Sequence, residues 1–194
     1  MIHIQRLARK EKRMDKHSDE KKFRLFENDI TLTGKHATYL KFLVNDAQLY
    51  QDYIDVYMNA VVFGYLYNVK SDKDNGTQDR ARIYADAFSN HRDECISLYR
   101  IITLLDNKSL SQEECLNKSF RYDSDPQKYD EVRASMEKFN SYVRGGIEYM
   151  YNQFTTGCTS KEDYVRQSFT VSKRFMDGLG ETDYANKINE LLNK

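Results

Sequence analysis

Side chains suited to acid–base or nucleophilic chemistry near neutral pH are scarce in this chain: four histidines (His3, His17, His36, His91) and three cysteines (Cys95, Cys115, Cys158) in 194 residues. His91 and Cys95 stand four residues apart, one turn on a helix, where a thiol and an imidazole can meet as a nucleophile and its base. The same spacing puts both on an apolar seam, so the expectation is a core histidine beside a core thiol. His36 follows Gly34 and Lys35 at a predicted helix start, where main-chain amides attract anions. The earlier glycine and the hydroxyl of a phosphate-binding loop are missing around it, so the expectation is an exposed first turn. Asp52 and Asp55 share a helical face, with no histidine or second carboxylate pair at ligand spacing nearby. The acids of SDKDNGT (Ser71 to Thr77) suggest a calcium loop, but counted from Asp72 the glycine falls fifth instead of sixth and the twelfth residue is Ile83, not Glu. The cysteines never form a two-residue spacing, which predicts reduced thiols in a cytoplasmic protein and no zinc site. The expectation is therefore a chain without a catalytic site, metal or cofactor.

The elements that would position these residues are helical. One proline and eight glycines leave few breaks, and segments of helical periodicity lie between them. Residues 25–194 are predicted to form one all-α bundle of about seven helices. Phe23 to Thr33 includes a short extended piece ended by Gly34, and a helix follows from Lys35. The next helix, about Asp52 to Asn68, is apolar nearly all round in its second half, as a central helix is. Thr77 is read as the N-cap of a long helix with Tyr84, Phe88, His91, Cys95, Leu98, Ile102 and Leu105 on one stripe of alternating four- and three-residue steps. A second long heptad-patterned helix carries Tyr129, Val132, Met136, Phe139, Val143, Gly146, Met150 and Gln153, and the two are expected to pack together. Ser111 with Glu114 fits a capping box, and Asp125 before Pro126 fits an N-cap and first-turn proline. Gly145 and Gly146 inside the second long helix require a close backbone neighbour or a kink. After Ser160 and Asp163, a stripe of Val165, Phe169, Ser172 and Met176 runs to Gly178 and Gly180. A last helix from about Thr182 has Tyr184, Ile188, Leu191 and Leu192 on its inner face.

Charge and aromatics suggest binding. The thirty basic and thirty acidic residues cancel, which excludes a whole-surface positive field. Met1 to Arg24, however, holds nine Lys or Arg against four acids. This basic arm offers Arg6, Arg9, Lys10, Lys12, Arg13 and Lys16 to nucleic-acid phosphates. The run from Tyr50 to Lys73 concentrates tyrosines, of which Tyr50, Tyr53, Tyr57 and Tyr65 are the expected partner-binding residues. No apolar run is long enough to cross a membrane.

The stretch ITLTGKHATYLKFL, then LYQDYIDVYMNAVVFGYL leading into NVKSDK, resembles small accessory proteins of bacterial DNA phosphorothioation (Dnd) defence systems. In these an aromatic-x-x-Tyr-x-Asp segment leads into an apolar helix ending in glycine and a basic, turn-rich exit. The resemblance covers Ile30 to Lys73, under a quarter of the chain. It implies assembly with other DNA-related, antiviral defence components. Three functions are thereby set against one another: a non-catalytic helical subunit or adaptor working with a protein partner or as a homo-oligomer, a direct nucleic-acid binder using the basic arm, and an enzyme with a site around His91, Cys95 or Asp55.

Overall fold

Three glycines inside or facing helices set the central packing of the molecule. The computed structural model describes residues 23–107 and 109–180. In chain order its elements are β1 (Ile30–Thr33), α1 (Lys35–Lys41) running into a π-helical turn (Phe42–Asp46), α2 (Tyr53–Leu66), β2 (Arg80–Ile83), α3 (Ala85–Asn90), α4 (Arg92–Leu105), α5 (Gln112–Phe120), two 3-10 turns (Tyr122–Ser124 and Pro126–Lys128), α6 (Tyr129–Thr155) and α7 (Lys161–Gly180). The fold is all-α, with seven α-helices and one short two-stranded ribbon among the described residues. None of these helices is long and apolar enough to cross a membrane.

Helices α2 and α6 pack backbone to backbone. A Cβ at Gly146 would overlap the carbonyl oxygen of Ala60, one at Gly64 that of Tyr142, and one at Gly145 that of Val69. Glycine is required here for close approach, so the helix-propensity cost of Gly145 and Gly146 is offset by tight packing. The segment leaving α2 is tied down on the same helix, with Ser71 N–H donating to the Ser141 carbonyl (3.0 Å) and Arg144 Nε to the Ser71 carbonyl (2.8 Å). Around this crossing Phe26 sits among Tyr57, Phe88, Tyr99 and Phe139, with ring centroids 5.6 to 6.5 Å apart. Of the aromatics from Tyr50 to Tyr67, Tyr57 and Phe63 are core, Tyr50, Tyr53 and Tyr65 pack partly buried against it, and Tyr67 is exposed.

The predicted long helix beginning at Thr77 is instead a strand and two helices. Arg80-Ala81-Arg82-Ile83 alternates polar and apolar residues, and as β2 it pairs antiparallel with β1, Ile30 opposite Ile83 and Thr33 opposite Arg80. Leu32, Ala81 and Ile83 point into the core. Tyr84 stays extended, and the backbone leaves the helical region at His91 (φ −116°, ψ 30°), so α3 and α4 diverge there. Only Phe88, Cys95 and Ile102 of the seven-residue stripe are buried, while Tyr84 and Leu105 are exposed. Helix α4 does touch α6 through Tyr99 and Phe139 (5.9 Å), but the principal partner of α6 is α2. Heptad spacing on two helices did not make them each other's main partner, because the glycine contact brings α2 closer.

Of the predicted caps, Thr77 precedes a strand and caps no helix, while the other three hold. Ser111 and Glu114 form a capping box, the Asp125 side chain accepts from Gln127 N–H after which Pro126 opens the turn into α6, and Ser160 and Asp163 cap each other at the start of α7. Asp52 and Asp55, expected to share one helical face, form the capping box of α2, with Asp55 Oδ2 accepting from Asp52 N–H at 3.1 Å. At the boundary of the arm, Phe23 already belongs to the packed body: its ring lies 5.3 Å from that of Tyr129, and its N–H donates to the Tyr129 hydroxyl at 2.9 Å. Arg6, Arg9, Lys10, Lys12, Arg13 and Lys16 lie outside the described residues, as does the predicted last helix with Tyr184, Ile188, Leu191 and Leu192.

Candidate functional site

The start of α1 is occupied by the protein's own carboxylate. Gly34 has φ 62°, which turns the chain from β1 into α1, and Asp74 of the 71–77 loop accepts from Lys35 N–H (2.7 Å) and Gly76 N–H (2.8 Å). Those two amides hold the Asp74 carboxyl below its ordinary pKa. The helix-start amide that could have attracted an outside anion is therefore taken by Asp74. His36 is no exposed first-turn residue either, since it is fully buried.

His36 Nε2 meets Glu148 Oε1 at 2.8 Å and Ser71 Oγ at 3.1 Å, and Lys35 Nζ reaches the same Glu148 oxygen at 2.9 Å. A Ser-His-Glu relay needs the hydroxyl and the carboxylate on opposite ring nitrogens. Here both crowd one nitrogen, and Nδ1 is buried without a hydrogen-bond partner. The cluster is a polar brace joining α1, the 71–77 loop and α6, extended by Arg144, whose Nη2 donates to Glu137 at 2.8 Å.

Burial depresses the His36 pKa against the opposing pull of Glu148. For Glu148, burial acts upward, but hydrogen bonds from Ser71, Lys35 and His36 outweigh it and hold the carboxyl low. Both folded-state pKa values lie below their unfolded ones, so both groups contribute stability above the unfolded values and lose it as pH falls. The His36 contribution is complete above pH 6.5 and declines below it; that of Glu148 declines below pH 4.5. The urea midpoint is expected to fall on acidification from pH 7.5 to 5.5, and His36→Gln should flatten that part of the curve. An equal slope in wild type and variant would exclude His36 as its source.

His91 and Cys95 do not form a dyad. Cys95 is fully buried, and burial pushes its thiol up to about 12, so the thiolate needed for attack is absent at neutral pH. His91 is half-buried at the α3–α4 break, on the rim of a groove of about 440 Å³. The charges of that groove are committed: Asp52 caps α2, Asp86 accepts from Ala87 N–H at 2.9 Å, and Arg82 pairs with Asp29.

The four tyrosines divide. Tyr57 is fully buried and donates to Asn140 Oδ1 at 2.8 Å, so it has no surface to offer a partner. Tyr50, half-buried, has its phenol pushed up to about 12 by burial. Tyr53 lines the groove, and Tyr65 packs edge-on against Tyr142 at 5.7 Å.

Among the described residues the two most exposed large apolar side chains lie on α7, while Ile101 and Leu105 of α4 and Leu116 and Phe120 of α5 are also exposed. Val165, Phe169 and Met176 are 56%, 70% and 64% exposed, while Val171 is buried. Facing inward instead is the stripe one residue earlier, Tyr164, Ser168, Val171 and Phe175, which repeats the four-three-four spacing of Val165, Phe169, Ser172 and Met176. Tyr164 packs on Phe42 (5.5 Å) and Phe175 on Phe63 (5.9 Å). Helix α7 is thus apolar on two adjacent faces, of which the bundle covers one.

Fold and surface define the class: an α-helical domain carrying an apolar helix face that the described residues leave uncovered. Comparison of the chain with protein-family models, with curated proteins and with solved structures gives no match.

Proposed function

We propose that this protein is a non-catalytic helical subunit that works by docking a protein partner on the outer face of α7. The observation that carries this reading is the stripe of Val165, Phe169 and Met176, each more than half exposed on a helix whose adjacent face is already packed. Clustered exposed apolar side chains of this size, rimmed by charge, mark interaction sites.

The rim favours a partner of different sequence over a second copy. Along the heptad defined by Val165, Phe169, Ser172 and Met176, the flanking positions on one side are Arg166 and Lys173. Two antiparallel copies of α7 would set these cations against each other, and parallel copies would bring Lys161 to Arg166. A helix with carboxylates along its flank removes that repulsion. The resemblance of Ile30 to Lys73 to phosphorothioation accessory proteins makes components of such a defence system the first partners to test.

In the double variant Phe169→Glu and Met176→Glu, the thermal midpoint is expected to stay within about 2 °C of wild type, because exposed positions contribute little to folding. Co-purification with the partner should be lost at the same time. Retained co-purification would overturn the assignment to this face, and a large fall in the midpoint would show that the stripe is packed.

A further inference from the structure

We propose a second site, independent of the α7 face: a pocket between α4, α5 and α6 that binds a small carboxylic acid as its anion. The cavity is about 150 Å³, the size of engineered cavities that admit a guest of about six heavy atoms. One wall is apolar, formed by Ile102, Ala134 and Phe139. The other carries Asp106, Lys118 and Lys138, with the buried hydroxyls of Thr103 and Ser135 between.

The sign of the guest follows from which charges are already met. Asp106 accepts from the Tyr142 hydroxyl at 2.8 Å through one oxygen; the other has no hydrogen bond of its own but is ion-paired with Lys138 Nζ at 2.5 Å. That carboxylate and one ammonium cancel. Lys118 is left: among the described residues its only hydrogen bond is a long one to the Asn107 amide oxygen, 3.4 Å, and none of their carboxylates lies within salt-bridge distance of it. At the end of α4 the Thr103 carbonyl is capped by the Asn107 side chain and the Ile102 carbonyl by Asp106 N–H, so neither of these takes up Lys118. Asn107 is itself fixed, its carbonyl accepting from the Cys115 thiol at 3.2 Å. The pocket therefore presents one uncompensated cation beside an apolar wall. An acyl anion whose short hydrocarbon part lies on Phe139 and Ile102 and whose carboxylate meets Lys118 satisfies both.

The test uses the full chain with sodium butyrate, butyramide and butylammonium as probes, followed by protein-detected NMR titration. Butyrate is expected to bind saturably with shifts centred on Thr103, Lys118 and Ser135, at least tenfold more tightly than butyramide, while butylammonium produces none. Lys118→Met should weaken butyrate binding tenfold or more. Ala134→Leu, which fills the pocket from an exposed position on α6, should abolish it whether or not the lysine variant folds. Absence of saturable butyrate shifts, equal affinity for the uncharged amide, or binding that survives Ala134→Leu would each overturn the proposal.

Discussion

Gly146→Ala is expected to destabilise the protein by about 3 kcal/mol or more, although alanine is the better helix former. On propensity alone the substitution inside α6 would stabilise by roughly 1 kcal/mol. Against this stands the Ala60 carbonyl of α2, which an added Cβ would overlap, with backbone and not a flexible side-chain tip as the obstacle. Relief requires α2 and α6 to move apart along their crossing, where Gly64 meets Tyr142 and Gly145 meets Val69 in the same way. Overpacking that forces such shifts costs about 1 to 3 kcal/mol and occasionally more, and here it would loosen three contacts together. Urea unfolding with a two-state fit measures the sign directly. A stabilised Gly146→Ala protein would show that the two helices are further apart than described.

Tyr57→Ala should cost about 3 to 5 kcal/mol, the range for removing a fully buried aromatic ring. The ring packs against Phe88 at 5.3 Å and lies 6.1 Å from Phe139, and its hydroxyl satisfies Asn140. Tyr57→Phe separates the two contributions: it leaves the ring in place and should cost about 1 kcal/mol, the net worth of one hydrogen bond. Thermal and urea unfolding of the pair give both numbers. If Tyr57→Ala kept wild-type stability and lost a partner instead, the tyrosine would belong to an interface and the core described for it would be wrong.

Much of the fold is legible without coordinates because it rests on local chemistry. The capping pairs Ser111 with Glu114 and Ser160 with Asp163, the Asp125-Pro126 start and the all-α class depend on residues within one turn of each other or on periodicity within one element. The demand of Gly145 and Gly146 for a close neighbour is legible in the same way, though which backbone meets them is not. Arg80 to Ile83 carried a strand signal, the polar–apolar alternation, that the stronger helical period downstream of Tyr84 obscured.

The site is harder to read, for a physical reason that α7 illustrates. Two stripes one residue apart, Tyr164-Ser168-Val171-Phe175 and Val165-Phe169-Ser172-Met176, share one spacing, so periodicity cannot choose between them. Phe42 and Phe63, more than a hundred residues earlier in the chain, make the choice by packing on Tyr164 and Phe175. The same holds for His36, whose partner Glu148 lies 112 residues away, and for Lys118, whose freedom depends on Lys138 having met Asp106. The sequence alone settles the all-α class and the helix starts at Ser111, Asp125 and Ser160, since these arise from interactions within a turn or two; it misleads from Thr77 to Leu105, where a strand and two helices replace one long helix. Which faces are buried, which charges are neutralised and which apolar stripe stays exposed depend on contacts between residues distant in the chain, and only the folded arrangement decides them.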